Sequence, residues 1–199
     1  MAIGEENVWE TLAGLAPEEV CRRTDVTFDA ASGRYALKIF GIEFFVAPLE
    51  REISSRSPQG DALLKKLGFF LRSSALGYLT VAKDIGLTGR LVSPLSMKSG
   101  QLFFRGAHEL PLEQVAEKYG SNREAFLGKG RELGGTYLAH GDASFELFPL
   151  SGVPAVMILW LGDEEFPPRV DLLFDAASEI RFPIDAIWAI AMMCTLAVL

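Results

Sequence analysis

Residues 134–161 read GGTYLAHGDASFELFPLSGVPAVMILWL, a glycine pair followed by three apolar runs that turn residues separate. The runs span 136–139, 145–148 and 153–161, and each has the length of a β-strand. Strands that follow one another through short turns pair antiparallel, because a parallel pair needs a long crossover connection. This stretch therefore predicts an antiparallel sheet and favours the α+β class over a doubly wound parallel sheet.

The sequence before this stretch predicts further strands and a long helix. Short strands are predicted at 26–28, 35–40 and 42–47, and a hairpin with a longer connection at 90–92 and 101–105. Residues 61–79 carry apolar side chains at helical spacing, which predicts an amphipathic helix packed on the sheet. We therefore expect a mainly antiparallel sheet flanked by helices.

The C-terminal residues 186–199 are hydrophobic throughout except for Thr195. As a helix they would span about 21 Å, which is shorter than a bilayer core, so no membrane span is expected. A helix that is apolar on all sides is typical of a protein core, and we expect this helix to be buried. A homodimer interface and a membrane contact through the same helix are the alternatives.

Length and charge limit the class of protein. A chain of 199 residues predicts a single α+β domain over 1–199. It has 19 basic and 26 acidic residues, a net charge of -7, so it lacks the positive charge that attracts nucleic acids and we exclude them as partners. Residues 134–199 contain nine acidic and two basic side chains. This acidic excess either faces a cation, a metal or a basic partner, or serves solubility.

The two cysteines, Cys21 and Cys194, are far apart in the sequence and have no histidine or cysteine beside them. They exclude a disulfide scaffold and a closed zinc site, and the sequence indicates no particular cofactor. The first residues, MAIGEE, have neither the basic nor the apolar region of a secretion signal, so we expect a cytoplasmic protein.

The segment WLGDEEFPPR at 160–169 is the strongest candidate for a functional site. Three consecutive carboxylates precede two prolines, which stiffen the backbone and fix the directions of the flanking side chains. Adjacent carboxylates raise one pKa or recruit a cation, which suits acid/base catalysis or binding of Mg²⁺ or Ca²⁺; a solvated acidic turn is the alternative. The candidate ligand-binding residues are Trp160, Asp163, Glu164, Glu165, Phe166, Arg169 and Asp175.

The tripeptide His140-Gly141-Asp142 has the H-x-D spacing of iron sites with two histidines and one carboxylate. Such a site needs a second histidine, and His108 is the only other one in the chain. A turn in which these side chains bond to their own backbone is the alternative. The metal-ligand candidates are thus His140, Asp142, Asp163 and Glu165.

The last third of the chain contains a series of short motifs: Gly134-Gly135, Gly141-Asp142, Pro149, Val153-Pro154, Leu159-Trp160, the string Gly162-Asp163-Glu164-Glu165-Phe166-Pro167, and Leu173-Phe174-Asp175. In these motifs the chain resembles an uncharacterised family found in anaerobic bacteria and archaea. Some members are fused to a four-cysteine iron-sulfur domain similar to that of corrinoid iron-sulfur proteins, which implies anaerobic redox or one-carbon metabolism. With two cysteines, this chain would need a separate partner to hold such a cluster.

Three functional hypotheses follow from these features. The first is an accessory or small-ligand-binding domain that uses the acidic turn and its aromatic neighbours. The second is a metal-assisted hydrolase or lyase that uses Asp163 and Glu165 with Asp142 or His140, and it requires these side chains to share a cleft. The third is a structural subunit that docks on a protein partner through the C-terminal helix.

Overall fold

The computed structural model describes residues 5–199, whose helices and strands follow one another in groups. The α-helices are α1 (Glu5–Gly14), α2 (Pro17–Arg23), α3 (Pro58–Val81), α4 (Gly100–Phe103), α5 (Leu112–Tyr119), α6 (Arg123–Glu132), α7 (Ser178–Arg181) and α8 (Ile184–Val198). The β-strands are β1 (Thr27–Asp29), β2 (Arg34–Ile39), β3 (Ile42–Ala47), β4 (Glu52–Ser55), β5 (Leu91–Val92), β6 (Thr136–Leu138), β7 (Ala143–Leu150), β8 (Val153–Trp160) and β9 (Arg169–Asp175). Every pairing between these strands is antiparallel, so the predicted α+β class is confirmed.

The strands form two sheets, where the sequence had suggested a single one. The first sheet has the order β1-β2-β3-β4, and the second has the order β5-β9-β8-β7-β6. They separate because α3 carries the chain away from β4, while β5 returns to pair with β9 at the edge of the second sheet. A backbone hydrogen bond of 3.0 Å from Phe40 N to Phe148 O connects the two sheets.

The core follows from the patterns of apolar residues in the strands. In β2 the buried residues alternate, as expected for a strand with one covered face. In β8 the residues from Val153 to Leu159 are all buried, because β7 and β9 on either side of it contact α5, α6, α8 and β2. The buried side chains of both sheets and of α3 and α8 belong to one contiguous hydrophobic core.

The C-terminal helix α8 is buried as predicted and packs along α3. Its last carbonyl groups have no partner within the helix, and side chains from other helices satisfy them. Lys66 Nζ donates to Ala197 O at 3.1 Å, Tyr119 Oη donates to Val198 O at 2.9 Å, and Lys118 Nζ donates to Leu199 O. Among the described residues, no helix is both long enough and apolar enough to cross a membrane.

The strand predicted at 101–105 is wrong, since these residues continue helix α4 and the turn after it. A Cβ at Gly100 would lie 2.1 Å from Pro94 O, so the chain makes a close turn there that only glycine allows. Phe103 then packs against His108 and Trp188 instead of pairing with β5. A short apolar run has too little periodicity to distinguish these two outcomes.

Candidate functional site

The loop 161–168 joins β8 to β9, whose terminal residues Trp160 and Arg169 face each other across the sheet. Asp163 closes this loop on itself. Its Oδ1 accepts hydrogen bonds from Glu165 N at 2.8 Å and Phe166 N at 2.7 Å, and its own amide donates to Phe166 O at 3.0 Å. The hydrogen bonds of Asp163 therefore give the acidic turn a defined conformation.

The backbone amides of Phe166 and Glu165 hold the pKa of the Asp163 carboxyl below its ordinary value, because they stabilise the ionised form. Glu164 and Glu165 project from the same turn and are exposed. Within residues 5–199, neither of these two side chains forms an ion pair or accepts a hydrogen bond. The turn thus carries three carboxylate side chains, of which Asp163 has the fixed geometry.

Two neighbouring segments hold the loop in place. Gly162 N donates to Gly120 O at 3.2 Å, and Leu161 N donates to Asp142 Oδ2 at 2.8 Å. At Gly120, which follows α5, a Cβ would lie 2.3 Å from the Pro168 side chain, so only glycine lets the loop approach the helix this closely. These contacts hold the loop against α5, and the two prolines stiffen its backbone.

Both aromatic residues of the site are exposed, and charged neighbours orient Trp160. Trp160 is 37% exposed and donates from Nε1 to Asp171 Oδ2 at 2.8 Å. The Arg169 guanidinium lies over the Trp160 ring, 4.8 Å from its centroid, and 3.8 Å from Asp171 Oδ2. Phe166 is 66% exposed at the tip of the loop. The site therefore presents two aromatic rings beside carboxylates.

A cavity of about 640 Å³ lies between this loop and α5. Its walls are Leu112, Glu113 and Ala116 from α5, Asp142 from the turn before β7, and Trp160, Leu161, Asp163 and 166–170 from the loop and the adjoining strand ends. The volume falls in the range of small-molecule sites, which are about 300–1,000 Å³. Apolar walls with a few convergent polar groups are also typical of such sites.

The structure brings together five of the residues that the sequence singled out: Trp160, Asp163, Phe166, Arg169 and Asp142 all line the cavity. Glu164 and Glu165 belong to the loop but do not form the cavity wall. Sequence reasoning missed Leu112, Glu113 and Ala116, although the apolar spacing of α5 predicts that one face of this helix packs on the protein. Nothing in the sequence indicates that the loop lies against that face.

Asp175 is placed elsewhere, at the far end of β9. It is six residues from Arg169, which corresponds to about 20 Å at the usual rise of a strand. The side chain is 2% exposed, and its oxygens accept hydrogen bonds from the amides of Thr88, Gly89 and Ala177. Burial alone would raise the pKa of this carboxyl, but the hydrogen bonds from Thr88, Ala177 and Gly89 outweigh it and keep the pKa below its ordinary value.

The H-x-D residues form a turn. The amide of His140 donates to Ser144 Oγ at 2.9 Å, and Ser144 Oγ donates to Leu138 O at 2.9 Å, which closes the hairpin between β6 and β7. His108 instead stacks on the Phe103 ring, with the ring centroids 4.5 Å apart. Across residues 5–199, no group of three His, Cys, Asp or Glu side chains is arranged to hold a metal ion.

The protein is thus an α+β protein with two sheets, and it has a cavity of the size of a small molecule where β8 and β9 meet α5. The chain belongs to the family described as Domain of unknown function (DUF3786), whose profile matches residues 16–197. The match therefore covers most of the chain and not the last third alone. Searches of curated proteins and of solved structures each found no match.

Proposed function

We propose that this chain is a ligand-binding domain whose site is the cavity between the loop 161–168 and α5. The observation that carries the proposal is the convergence of Trp160, Asp163, Phe166, Arg169 and Asp142 on one cavity of about 640 Å³. Four of these residues belong to the stretch 160–169 and Asp142 comes from the turn before β7. Aromatic walls with a few placed polar groups are typical of binding sites.

The rigidity of the cavity wall supports binding. Asp163 locks the turn through two backbone amides, and Gly120 and Asp142 hold the loop from outside. A site that is already ordered before the ligand arrives loses little conformational entropy on binding. The wall therefore suits a small molecule of complementary shape.

The hydrolase or lyase hypothesis receives less support from the same geometry. One oxygen of Asp163 and one of Asp142 already accept backbone amides, and Glu165 is not on the cavity wall. A structural subunit docking through α8 also receives less support, because the apolar surface of this helix packs within the chain against α3. We therefore favour the accessory, ligand-binding role.

The proposal includes a link to anaerobic redox or one-carbon metabolism. This link is supported by the family resemblance alone. Cys194 is completely buried and Cys21 is half-buried, and two cysteines are fewer than the four that hold such a cluster, so a separate partner would hold it. Metal analysis and a UV-visible spectrum of protein purified without oxygen test this link. A chromophore that copurifies with the chain or its partner would support it, and colourless, metal-free protein would count against it.

The direct test of ligand binding is a panel of metabolites and fragments, screened by thermal shift and by chemical-shift perturbation. A ligand that binds the folded state raises its stability by mass action, by about 2.7 kcal/mol at a concentration of about 100 Kd. We expect at least one binder whose effect disappears in Phe166→Ala. Phe148→Ala is the matched control, because Phe148 is also exposed, at 43%, and lies outside the cavity. Binding that survives Phe166→Ala, or a panel without a binder, would contradict the proposal.

A further inference from the structure

We infer that the ligand of this cavity is a small organic cation, an ammonium or guanidinium group attached to an apolar body. The inference rests on the proposed function and adds to it the chemical class of the ligand. It depends on three properties of the cavity wall: its charge, its free carboxylate oxygens and its aromatic rings.

The charge of the wall is negative. Glu113, Asp142 and Asp163 line the cavity, and Arg169 is the one basic residue among the lining side chains. The Arg169 guanidinium is already engaged, since it stacks on Trp160 and lies 3.8 Å from Asp171. An anionic ligand would therefore meet excess negative charge, while a cation would be attracted.

The carboxylates on the wall have oxygens free for a ligand. Asp163 uses Oδ1 for the amides of its own turn, and Asp142 uses Oδ2 for Leu161 N. Within the described part of the chain, Asp163 Oδ2 and Asp142 Oδ1 accept no hydrogen bond, and neither does the Glu113 carboxylate. Because one oxygen of each aspartate is fixed, the other is held in a defined direction, and hydrogen bonds to ionised acceptors are the stronger ones.

The aromatic rings indicate the same class of ligand. Trp160 already holds the guanidinium of Arg169 over its ring, which shows that a cation–π contact fits at this site, although the ring face that Arg169 covers is not free for a ligand. Phe166 offers a second ring, exposed at the loop tip. The apolar walls formed by Leu112 and Pro167 add contacts that a bare inorganic cation would not use. The ligand therefore needs an apolar body as well as a positive charge.

Three probes of similar size separate the effect of ligand charge on binding from the effect of ligand shape. They are phenethylamine, 2-phenylethanol and 3-phenylpropionate, which are cationic, neutral and anionic at neutral pH. Each is titrated into the full chain and followed by chemical shifts. We expect phenethylamine to bind about tenfold more tightly than 2-phenylethanol, a difference equal to about one hydrogen bond to a charged group, and 3-phenylpropionate to bind most weakly. The preference for the cation should weaken as ionic strength rises.

Variants identify the carboxylates responsible for the preference. Asp163→Asn retains an oxygen that can accept the two turn amides but removes the charge, so the turn should persist while phenethylamine binds several-fold more weakly and 2-phenylethanol is unaffected. Glu164→Gln is the matched control, since it removes a charge from the same loop but away from the cavity wall. We expect this control to change phenethylamine binding little.

The outcomes distinguish the two proposals. If 2-phenylethanol or 3-phenylpropionate binds as tightly as phenethylamine and Phe166→Ala abolishes that binding, the cavity is a ligand site but the cationic class is wrong. If none of the three probes binds while a neutral or anionic member of the wider panel does, the cationic class is again overturned and the proposed function stands. If the wider panel also lacks a binder that depends on Phe166, both proposals fail.

Discussion

Two aspartates of this chain accept backbone amides in the same way but lie in opposite surroundings. Asp163 is exposed and closes the loop of the candidate site, whereas Asp175 is buried and ties the segment around Thr88 to the end of β9. In the sequence both appeared as members of one acidic surface. Asp175 could not be separated from that surface because two of its partners, Thr88 and Gly89, are more than 80 residues away along the chain.

We predict that Asp175→Asn destabilises the protein by about 2 kcal/mol at pH 7, because an amide N–H₂ would face backbone donors that now share a carboxylate. The pKa of Asp175 is lowered in the folded state. Its contribution to the free energy of unfolding is therefore present above the unfolded pKa of about 3.9, and it is lost as pH falls through the lower folded pKa. Urea unfolding at pH 7 and pH 3 measures this.

The difference between Asp175→Asn and the natural chain should therefore be smaller at pH 3 than at pH 7. Asp163→Asn serves as the comparison, because its site is solvent-exposed and the asparagine oxygen can still accept the turn amides. Equal destabilisation by Asp175→Asn at both pH values would show that its ionised form has no special role.

At the scale of elements, two of the three glycines in the long helix α3 have opposite roles. Gly68 has φ of 48° and ψ of -116°, outside the helical region, and the helix kinks there. Gly77 lies in the regular part, where a Cβ would meet the Cβ of Ala186 in α8 at 3.7 Å, an ordinary contact. The sequence predicts the amphipathic helix correctly but not the kink, because a glycine inside a helical pattern is compatible with either conformation.

We predict opposite effects for alanine at these two positions. Gly77→Ala should stabilise the protein by about 0.5–1 kcal/mol, since alanine favours the helix and fits beside Ala186. Gly68→Ala should destabilise it by about 1–3 kcal/mol, because a residue with a Cβ is strained at this φ and ψ even though no atom lies within 4 Å. Thermal and urea unfolding of the two variants measure this, and effects of the same sign would contradict it.

For the whole molecule, side chains of α3 connect parts of the chain that precede and follow it. Tyr78 is completely buried, and its hydroxyl accepts from Asp25 N at 2.8 Å and donates to Ser151 O at 2.9 Å. Asp25 precedes the first sheet, and Ser151 lies in the hairpin between β7 and β8 of the second. Together with the shared core, this link predicts that the two sheets unfold together.

We predict one cooperative unfolding transition in urea, with the same midpoint by circular dichroism and by tryptophan fluorescence. Tyr78→Phe should lower stability by about 1–3 kcal/mol, because it removes two hydrogen bonds of a completely buried side chain, and the transition should stay single. Tyr137→Phe is the control, since its exposed hydroxyl makes only a 3.5 Å contact with Leu127 O. Separate transitions for the two probes would show that the sheets unfold independently.

The sequence by itself determined the α+β class, most strands of both sheets, the buried C-terminal helix and the loop that carries the candidate site. These follow from local periodicity and turn residues, which act over a few neighbouring positions. Only the tertiary structure decided that the strands form two sheets, that α5 forms the second wall of the cavity, and that Asp175 lies apart from Asp163. Each of these depends on contacts between distant segments, for which a single sequence carries no local signal.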